Sequence, residues 1–420
     1  MEKQLPVELI NFIQVAGKIA SSQGRSLYLV GGMVRDLLLR RTNLDLDLVL
    51  EGDAMSLAQS LASITQGKIL KHPRFGTAKL RWDRWSVDLA TARSETYKRP
   101  GSLPSVKPGS LASDLFRRDF TINAMAVEII PGRYGELVDL YGGRDDLGHK
   151  LIRVLHNKSF TDDATRILRG LRYEQRLDFQ LEATTLRLLK RDIRMLDMVS
   201  GDRIRHEIEL ILKEELPEKV FSRAEGLGVL TKLHPALKGD SWVAQKYEQA
   251  RQLSYPNLPS VELGVALMAY RLTNEEKEEL ILHLRLPKSI AQTIRDMGGL
   301  KSKLEPLANV EPAPSCIYQL IYGFSPAAIT TILLAADSLE IRKHIQLFLS
   351  KLRYTRPVLT GSDLLEMGIP PGPQIKEVLQ RLHEARLDGK ATSKQGEEDL
   401  VRRWLEEEWE ENQENGVMRH

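Results

Sequence analysis

GGMVRDLLLRRTNLDLDLV, residues 31–49, is the stretch from which the rest of the chain can be read. It begins at the end of LYLVGG (27–32), a short apolar run stopped by two glycines. MVRDLLLRR follows directly and reads as a short helix, and LDLDLVL (44–50) then alternates with period 2, as a strand does. That period puts Asp45 and Asp47 on one face and turns Leu44, Leu46 and Leu48 toward a core. Two like charges side by side repel, and a strand gains nothing from them. A divalent cation removes the penalty, and all-oxygen ligands with room for water and phosphate suit Mg²⁺. Asp-x-Asp alone is weak and is better read as a solvent-facing strand edge. The glycine turn upstream favours the metal reading. Gly31 and Gly32 let backbone N–H groups approach a phosphate, and Arg35, one turn into the helix, is placed to fork onto a triphosphate. Asp88, in WSVDLATAR, offers either a third carboxylate or a structural hydrogen bond.

Working outward, KLRWDRWSVDLAT (79–91) reads as a further strand pair and AMAVEII (124–130) as another strand. YKRPGSLPSVKPGS (97–110), dense in proline, glycine and serine, reads as a loop. From about residue 160 the apolar period becomes helical. RILRGLRYEQRL sets Ile167, Leu168, Leu171 and Leu177 on one side, and RIRHEIELILKEEL (203–216) ends before Pro217. A mixed head thus precedes a mainly α-helical remainder, an α+β arrangement. Turn residues restart the pattern near Pro357, so the expected divisions are 1–155, 156–235, 236–356 and 357–420.

The 420 residues suffice for several compact units, each with its own core. No apolar run approaches the ~20 residues that span a bilayer, and the N-terminus lacks the plan of a signal peptide. The single cysteine, Cys316, excludes an internal disulfide and any cysteine-rich zinc site, and a reducing cytoplasm is the expected compartment. A net charge of +3 gives no strong whole-chain field. Arginines crowd residues 144–206, however, which suits a local basic track for RNA, whereas 397–414 is acidic and reads as a solvated helix. Arg203, Arg205 and Lys213 are candidate contacts to an RNA backbone.

Three ordered stretches carry a resemblance. GGMVRDLLLRRTNLDLDLV, DLFRRDFTINAMA (114–126) and TDDATRILRGLRYEQRLDF (161–179) resemble the successive motifs of class II tRNA nucleotidyltransferases and bacterial poly(A) polymerases, in the DNA polymerase β superfamily. The likeness extends through SGDRIRHEIELIL and LGVLTKLHP, and GSDLLEMGIPPGPQIKEVLQRLHEARLDGKA is similar to a C-terminal domain of one branch. The resemblance implies a polymerase β-like head, then helical neck, body and tail. It implies that Asp45 and Asp47 hold catalytic metals and that Gly32 and Arg35 meet the triphosphate. Arg118, Asp119 and Asn123 would contact nucleotide and ribose. For Asp119, a salt bridge with a neighbouring arginine is the structural alternative.

On a helix, Asp163 and Arg166 share a face. A carboxylate accepts from an exocyclic amine and a guanidinium donates to a ring acceptor, so the pair can read C or A on its pairing edge. The resemblance gives these positions that role, with Arg169 and Arg172 continuing the stripe as nucleotide contacts. The alternative is a salt-bridged surface helix. Asp162 stands where the family has a glutamate that orients the templating arginine, which bears on base selectivity. The proline-glycine form of 97–110 goes with enzymes adding only part of CCA. No His-Asp metal pair of the phosphohydrolase kind is found. The expected activity is template-independent addition of C, A or both to the tRNA 3′ end from CTP and ATP, with Mg²⁺ as cofactor and pyrophosphate as product. Alternatives are a poly(A) polymerase and, from another class, an inert RNA-binding scaffold. The sequence leaves the number of nucleotides added and the oligomeric state open.

Overall fold

The computed structural model describes residues 4–97, 101, 104–308 and 311–417. Residues 98–100 and 102–103 of the expected 97–110 loop lie outside the described residues, as do 418–420 of the expected tail. The chain forms two compact units, residues 1–244 with 283–285, and residues 245–282 with 286–420.

The first unit is built on a seven-stranded mixed sheet in the order β3-β4-β5-β2-β1-β8-β9. Its centre is β1 (Leu27–Val30), antiparallel to both β2 (Leu46–Leu50) and β8 (Met125–Glu128). On the far side of β2 lies β5 (Trp85–Thr91), parallel to it, then β4 (Thr77–Trp82) and the edge strand β3 (Lys68–His72). The other edge is β9 (Leu137–Asp139). All four residues of β1 are buried, because the sheet is covered on both faces. Tyr28 and Val30 join Val49, Ala126, Leu111 and Leu115 in one cluster, the last two from α4 (Leu111–Phe116). Leu27 and Leu29, pointing the other way by period 2, are also fully buried. Helices α1 (Val7–Ser22) and α3 (Ala54–Thr65) pack on each other and on the sheet. Asp47, two residues before Val49, opens on the α4 side.

Two expectations are corrected here. The strand begins at Leu46 rather than Leu44, and Leu44 is 43% exposed instead of core-facing. The expected loop also carries structure: β7 (Ser105–Pro108) pairs antiparallel with β6 (Arg93–Thr96) in a sheet of its own. Pro108 fits because it sits at the end of a two-stranded ribbon, where its missing N–H removes little pairing.

After the sheet come α5 (Gly143–Gly148), α6 (Ser159–Asp162), α7 (Thr165–Leu177), α8 (Ala183–Asp192), α9 (Gly201–Leu212) and α10 (Pro217–Gly226). Ile167, Leu168, Leu171 and Leu177 are the buried face of α7, which packs on α9 and α10. Its polar side is buried as well and is matched by carboxylates. Arg172 meets Glu207 at 3.5 Å and Glu214 at 3.3 Å, and Glu174 accepts from Arg223 at 2.9 Å. Removing one partner of such a buried pair costs about 3–5 kcal/mol, because a charge is stranded.

The second unit is helical. Val261–Ala269, Lys288–Lys301 and Pro326–Ala335 pack on one another. A separate cluster of Leu359, Leu364, Ile369, Leu382 and Val401 forms its C-terminal part. There the fully buried Glu397 accepts from the N–H groups of Val358 and Leu359 and from Arg386 at 2.7 Å. Among the described residues, no single helix is long and apolar enough to cross a membrane.

Candidate active site

The site starts at the end of β1, where the chain turns through Gly31 into α2 (Gly32–Leu38). Gly31 has φ +74°, and a Cβ there would lie 2.9 Å from Arg118 Nη1 and 3.7 Å from Asp47 Oδ2. The left-handed backbone conformation therefore favours glycine, and a side chain there would also displace the end of Arg118. Arg35 departs from its expected place. Its guanidinium donates to both oxygens of Asp36 (2.8 and 2.9 Å) and to Asn123 Oδ1 (2.8 Å), and it lies over the Tyr173 ring. It braces the wall of the site rather than reaching into the space in front of it.

Asp45 precedes β2 and is exposed, its N–H donating to Asn43. Asp47 lies within the strand, half-buried, in register with Asp88 of the parallel neighbour β5. Burial pushes the Asp47 carboxyl up to about 6; Arg118 opposes the shift, while Asp45 and Asp88 add to it. Asp88 is paired with Lys79 across the β4–β5 ladder at 2.8 Å. A half-buried acid with two further acids as neighbours is short of positive charge, and its oxygen-only donors match a hard divalent cation. Among the described residues, no group of three or more histidines, cysteines or acids could hold a metal ion. A cation at Asp45 and Asp47 would therefore complete its shell with water and phosphate oxygens, as Mg²⁺ commonly does.

The RRDF segment follows α4. Asp114, fully buried, takes Arg117 on one oxygen (2.7 Å) and Arg118 on the other (3.0 Å). Burial disfavours its charge, but the two guanidiniums outweigh burial and hold its pKa below the usual carboxylate range. Arg118 Nε is buried with no protein acceptor, and the Arg118 side chain lines the space in front of the glycine turn. Asp119 accepts from the Phe120 N–H (2.8 Å), Asn123 Nδ2 (2.9 Å) and Arg169 (3.3 Å). Its salt bridge is thus with an arginine fifty residues away in sequence, not with its neighbours. Burial opposes ionisation here too, and Arg169 with Asn123 reverses it, so Asp119 titrates below its ordinary value.

The third motif changes shape on folding. Asp163 is not on a helix with Arg166. It ends α6 in an extended conformation (φ −142°, ψ 98°) and accepts from the Thr165 N–H and hydroxyl at the start of α7. Arg166, nearly fully buried, donates to Ser159 Oγ at 2.8 Å and to the Arg117 carbonyl at 2.6 Å. Asp162 pairs instead with His156 at 3.9 Å. Arg169 bridges Asp119 and Glu207; burial works against its charge, and the two carboxylates raise its pKa nonetheless. Arg172 leaves the expected stripe and is bound behind the wall by Glu207 and Glu214. Geometry explains this. Each step of three residues falls about 60° short of a full turn, so Arg172 stands about 120° from Arg166. Seven residues return to within about 20°, which is why Tyr173 shares the face of Arg166.

These groups enclose a cavity of about 370 Å³. Gly31, Gly32, Asp47, Arg118, Asp119, Asn123, Asp163, Arg166 and Arg169 line it, whereas Asp45, Asp88, Arg35 and Arg172 do not. Tyr173, Arg117, Glu95, Tyr97 and Pro104 also line it and were not foreseen. The seven-residue return on α7 could have revealed Tyr173. Glu95 accepts from Arg93 (2.9 Å), Arg117 (3.0 Å) and Tyr97 (2.9 Å) at the edge of the presumed loop, where no local pattern marks it.

Residues 27–153 match the family model of the poly A polymerase head domain, and 178–240 that of the probable RNA and SrmB-binding site of polymerase A. An A-adding tRNA nucleotidyltransferase of Geobacter sulfurreducens is 35% identical over 428 residues, covering 94% of this chain. This chain spans about half of that relative's length, 47%. An A-adding tRNA nucleotidyltransferase of Halalkalibacterium halodurans is 32% identical over 404 residues, covering 94% of this chain and 92% of the relative. The Thermotoga maritima CCA-adding enzyme complexed with tRNA superposes with a TM-score of 0.76 at 32% identity, over 96% of this chain and 97% of that one. With a shared head, a shared RNA-binding segment and near full-length likeness, the chain belongs to the tRNA nucleotidyltransferase family.

Proposed function

We propose that this protein adds nucleotides to the 3′ end of tRNA, and specifically the terminal A, from ATP with release of pyrophosphate. The observation that carries this is the cavity itself. A half-buried aspartate beside a glycine turn, the Arg118 side chain, and the Asp163–Arg166 pair all line one space of about 370 Å³. The narrower choice of A rests on the names of the two curated relatives above, both A-adding.

The tRNA 3′-oxygen attacks the α-phosphorus of ATP, a P–O bond to pyrophosphate breaks, and the hydroxyl proton leaves to solvent. Gly31 and Gly32 present backbone to the triphosphate, and Arg118 supplies positive charge. Asp119 and Asn123 face the ribose, where an acceptor recognises the 2′-OH. Asp163 accepts from the exocyclic amine and Arg166 donates to the neighbouring ring nitrogen. Enzymes of this family are metal-dependent. Asp45 and Asp47 would hold Mg²⁺, which when bound neutralises triphosphate charge and acidifies the attacking hydroxyl. The protein's own contribution is positioning and fixed charge.

Primer extension on tRNA transcripts ending in CC, in C, or lacking both, with ATP alone and CTP alone, tests this. One A on the CC end and only weak CTP use is expected. Efficient CTP incorporation would replace terminal A addition with a broader activity, and long A tails would indicate a poly(A) polymerase.

A further inference from the structure

Arg203 lies on α9, away from the reacting groups, and from sequence it is a candidate RNA-phosphate contact. The structure spends it elsewhere. One Nη forms an ion pair with Asp163 Oδ1 at 2.8 Å. The other donates to the Gly101 carbonyl at 3.3 Å, in the segment between β6 and β7. Asp163 Oδ1 also takes the Thr165 N–H (3.0 Å) and hydroxyl (2.7 Å). Two Thr165 donors and the Arg203 cation thus gather at one oxygen, and among the described residues Oδ2 has no protein donor. An acid held this way has a fixed plane and one oxygen reserved for a ligand. Gly101 is docked as tightly. Its φ is +72°, and a Cβ there would lie 2.4 Å from the Met198 carbonyl oxygen. Arg203 therefore joins α9, the base-reading carboxylate and the backbone of Gly101.

We propose that Arg203 is a positioning residue for base selection: it orients Asp163 and ties that orientation to the backbone carbonyl of Gly101. The inference rests on the base-reading role proposed above for Asp163. Adenine and cytosine both present an amine beside an acceptor, but at different reach from the sugar. A carboxylate fixed in one plane selects by that reach, whereas one free to rotate follows either amine. The guanidinium suits this work because it forks to two acceptors in fixed geometry, which a lysine ammonium on a flexible stem does not. Burial alone would push the Asp163 proton affinity up; Arg203, with Thr165, reverses this and keeps the acid ionised as an acceptor.

The test is steady-state addition of one nucleotide to tRNA ending in CC, with ATP and CTP compared for wild type, Arg203→Ala, Arg203→Lys and Gly101→Ala. For Arg203→Ala the KM for ATP should rise about tenfold, more than kcat falls, and the preference for ATP over CTP should drop about tenfold. Arg203→Lys should restore much of the ATP KM, since a cation again faces Asp163, but not the preference, since the second arm to Gly101 is gone. Gly101→Ala keeps Arg203 and displaces its other partner, so it should lose preference on its own; it serves if Arg203→Ala does not fold. An unchanged ATP-to-CTP preference in Arg203→Lys and Gly101→Ala would overturn the proposal. So would a rise confined to the KM for tRNA, which would make Arg203 a phosphate contact. Failure of the wild-type protein to extend tRNA at all would instead sink the base-reading role itself.

Discussion

Asp47 and Asp119 are both carboxylates lining the same cavity, and their surroundings push them in opposite directions. Asp47 is raised to about 6 by burial beside Asp45 and Asp88. On the proposed reading, such a group would be relieved by a cation that arrives with substrate. Asp47→Asn should therefore lower nucleotide addition by about a thousandfold or more without lowering the melting temperature of the metal-free protein. Single-turnover assays beside thermal melts would show it, and a parallel loss of both would make the residue structural. Asp119 is the reverse case. Its folded-state pKa lies below 3.8, so on acidification the unfolded chain takes up the proton first. Its contribution to stability is complete above 3.8 and drains away as pH falls below that value. In Asp119→Asn the fall of unfolding free energy between about pH 4 and 2 should be flatter than in wild type by denaturant titration. An equally steep fall would mean that Asp119 does not carry the buried charge pair with Arg169.

Secondary-structure elements show where sequence reading succeeds and where it stops. Period 2 in 44–50 and the glycines after LYLV are local signals, and β1, β2, the β4–β5 pair and β8 follow from them. β3 and β9 are edge strands made by pairing with their neighbours, and KILKH, mostly exposed, carries little pattern of its own. β7 was hidden by prolines and glycines that a two-stranded ribbon tolerates. The Asp163–Arg166 spacing named two residues that do line the cavity, but with another geometry, because Asp163 accepts from the first turn of α7 out of the preceding turn instead of belonging to the helix. Gly17 is another position where tertiary packing overrides local preference. It lies inside α1, where alanine is intrinsically better by about 1 kcal/mol. A Cβ there would fall 1.9 Å from the Ile129 carbonyl oxygen at the end of the sheet. Gly17→Ala should therefore destabilise the protein by about 2–3 kcal/mol in denaturant titration, moving the midpoint down. A midpoint that rises would show that helix propensity governs α1.

Across the whole molecule, the arginine-rich run at 144–206 changes meaning once folded. Arg153 pairs with Asp146, Arg169 with Asp119 and Glu207, Arg172 with Glu207 and Glu214, Arg191 with Asp192, and Arg203 with Asp163. Arg169–Asp119 links the sheet-bearing part to α7, and the others are paired locally, so fewer charges remain for phosphates than the sequence count suggests. Much of the basic run expected from composition is engaged in ion pairs, which no one-dimensional charge count distinguishes from a free RNA surface. The logarithmic salt dependence of tRNA binding should accordingly be shallow, with a slope no steeper than about −4 by filter binding at several salt concentrations. A slope near −8 would mean a much larger free basic surface. The two-unit division was equally hard to read, since residues 283–285 return to the first unit from the middle of the second. The central claim is spatial, and a crystal structure with a non-hydrolysable ATP analogue and Mg²⁺ tests it most directly. The triphosphate is predicted between Gly31 and Arg118, with metal on Asp45 and Asp47 and the adenine edge against Asp163 and Arg166. A nucleotide ordered outside this cavity, or seated in it with its base turned away from that pair, would contradict the account.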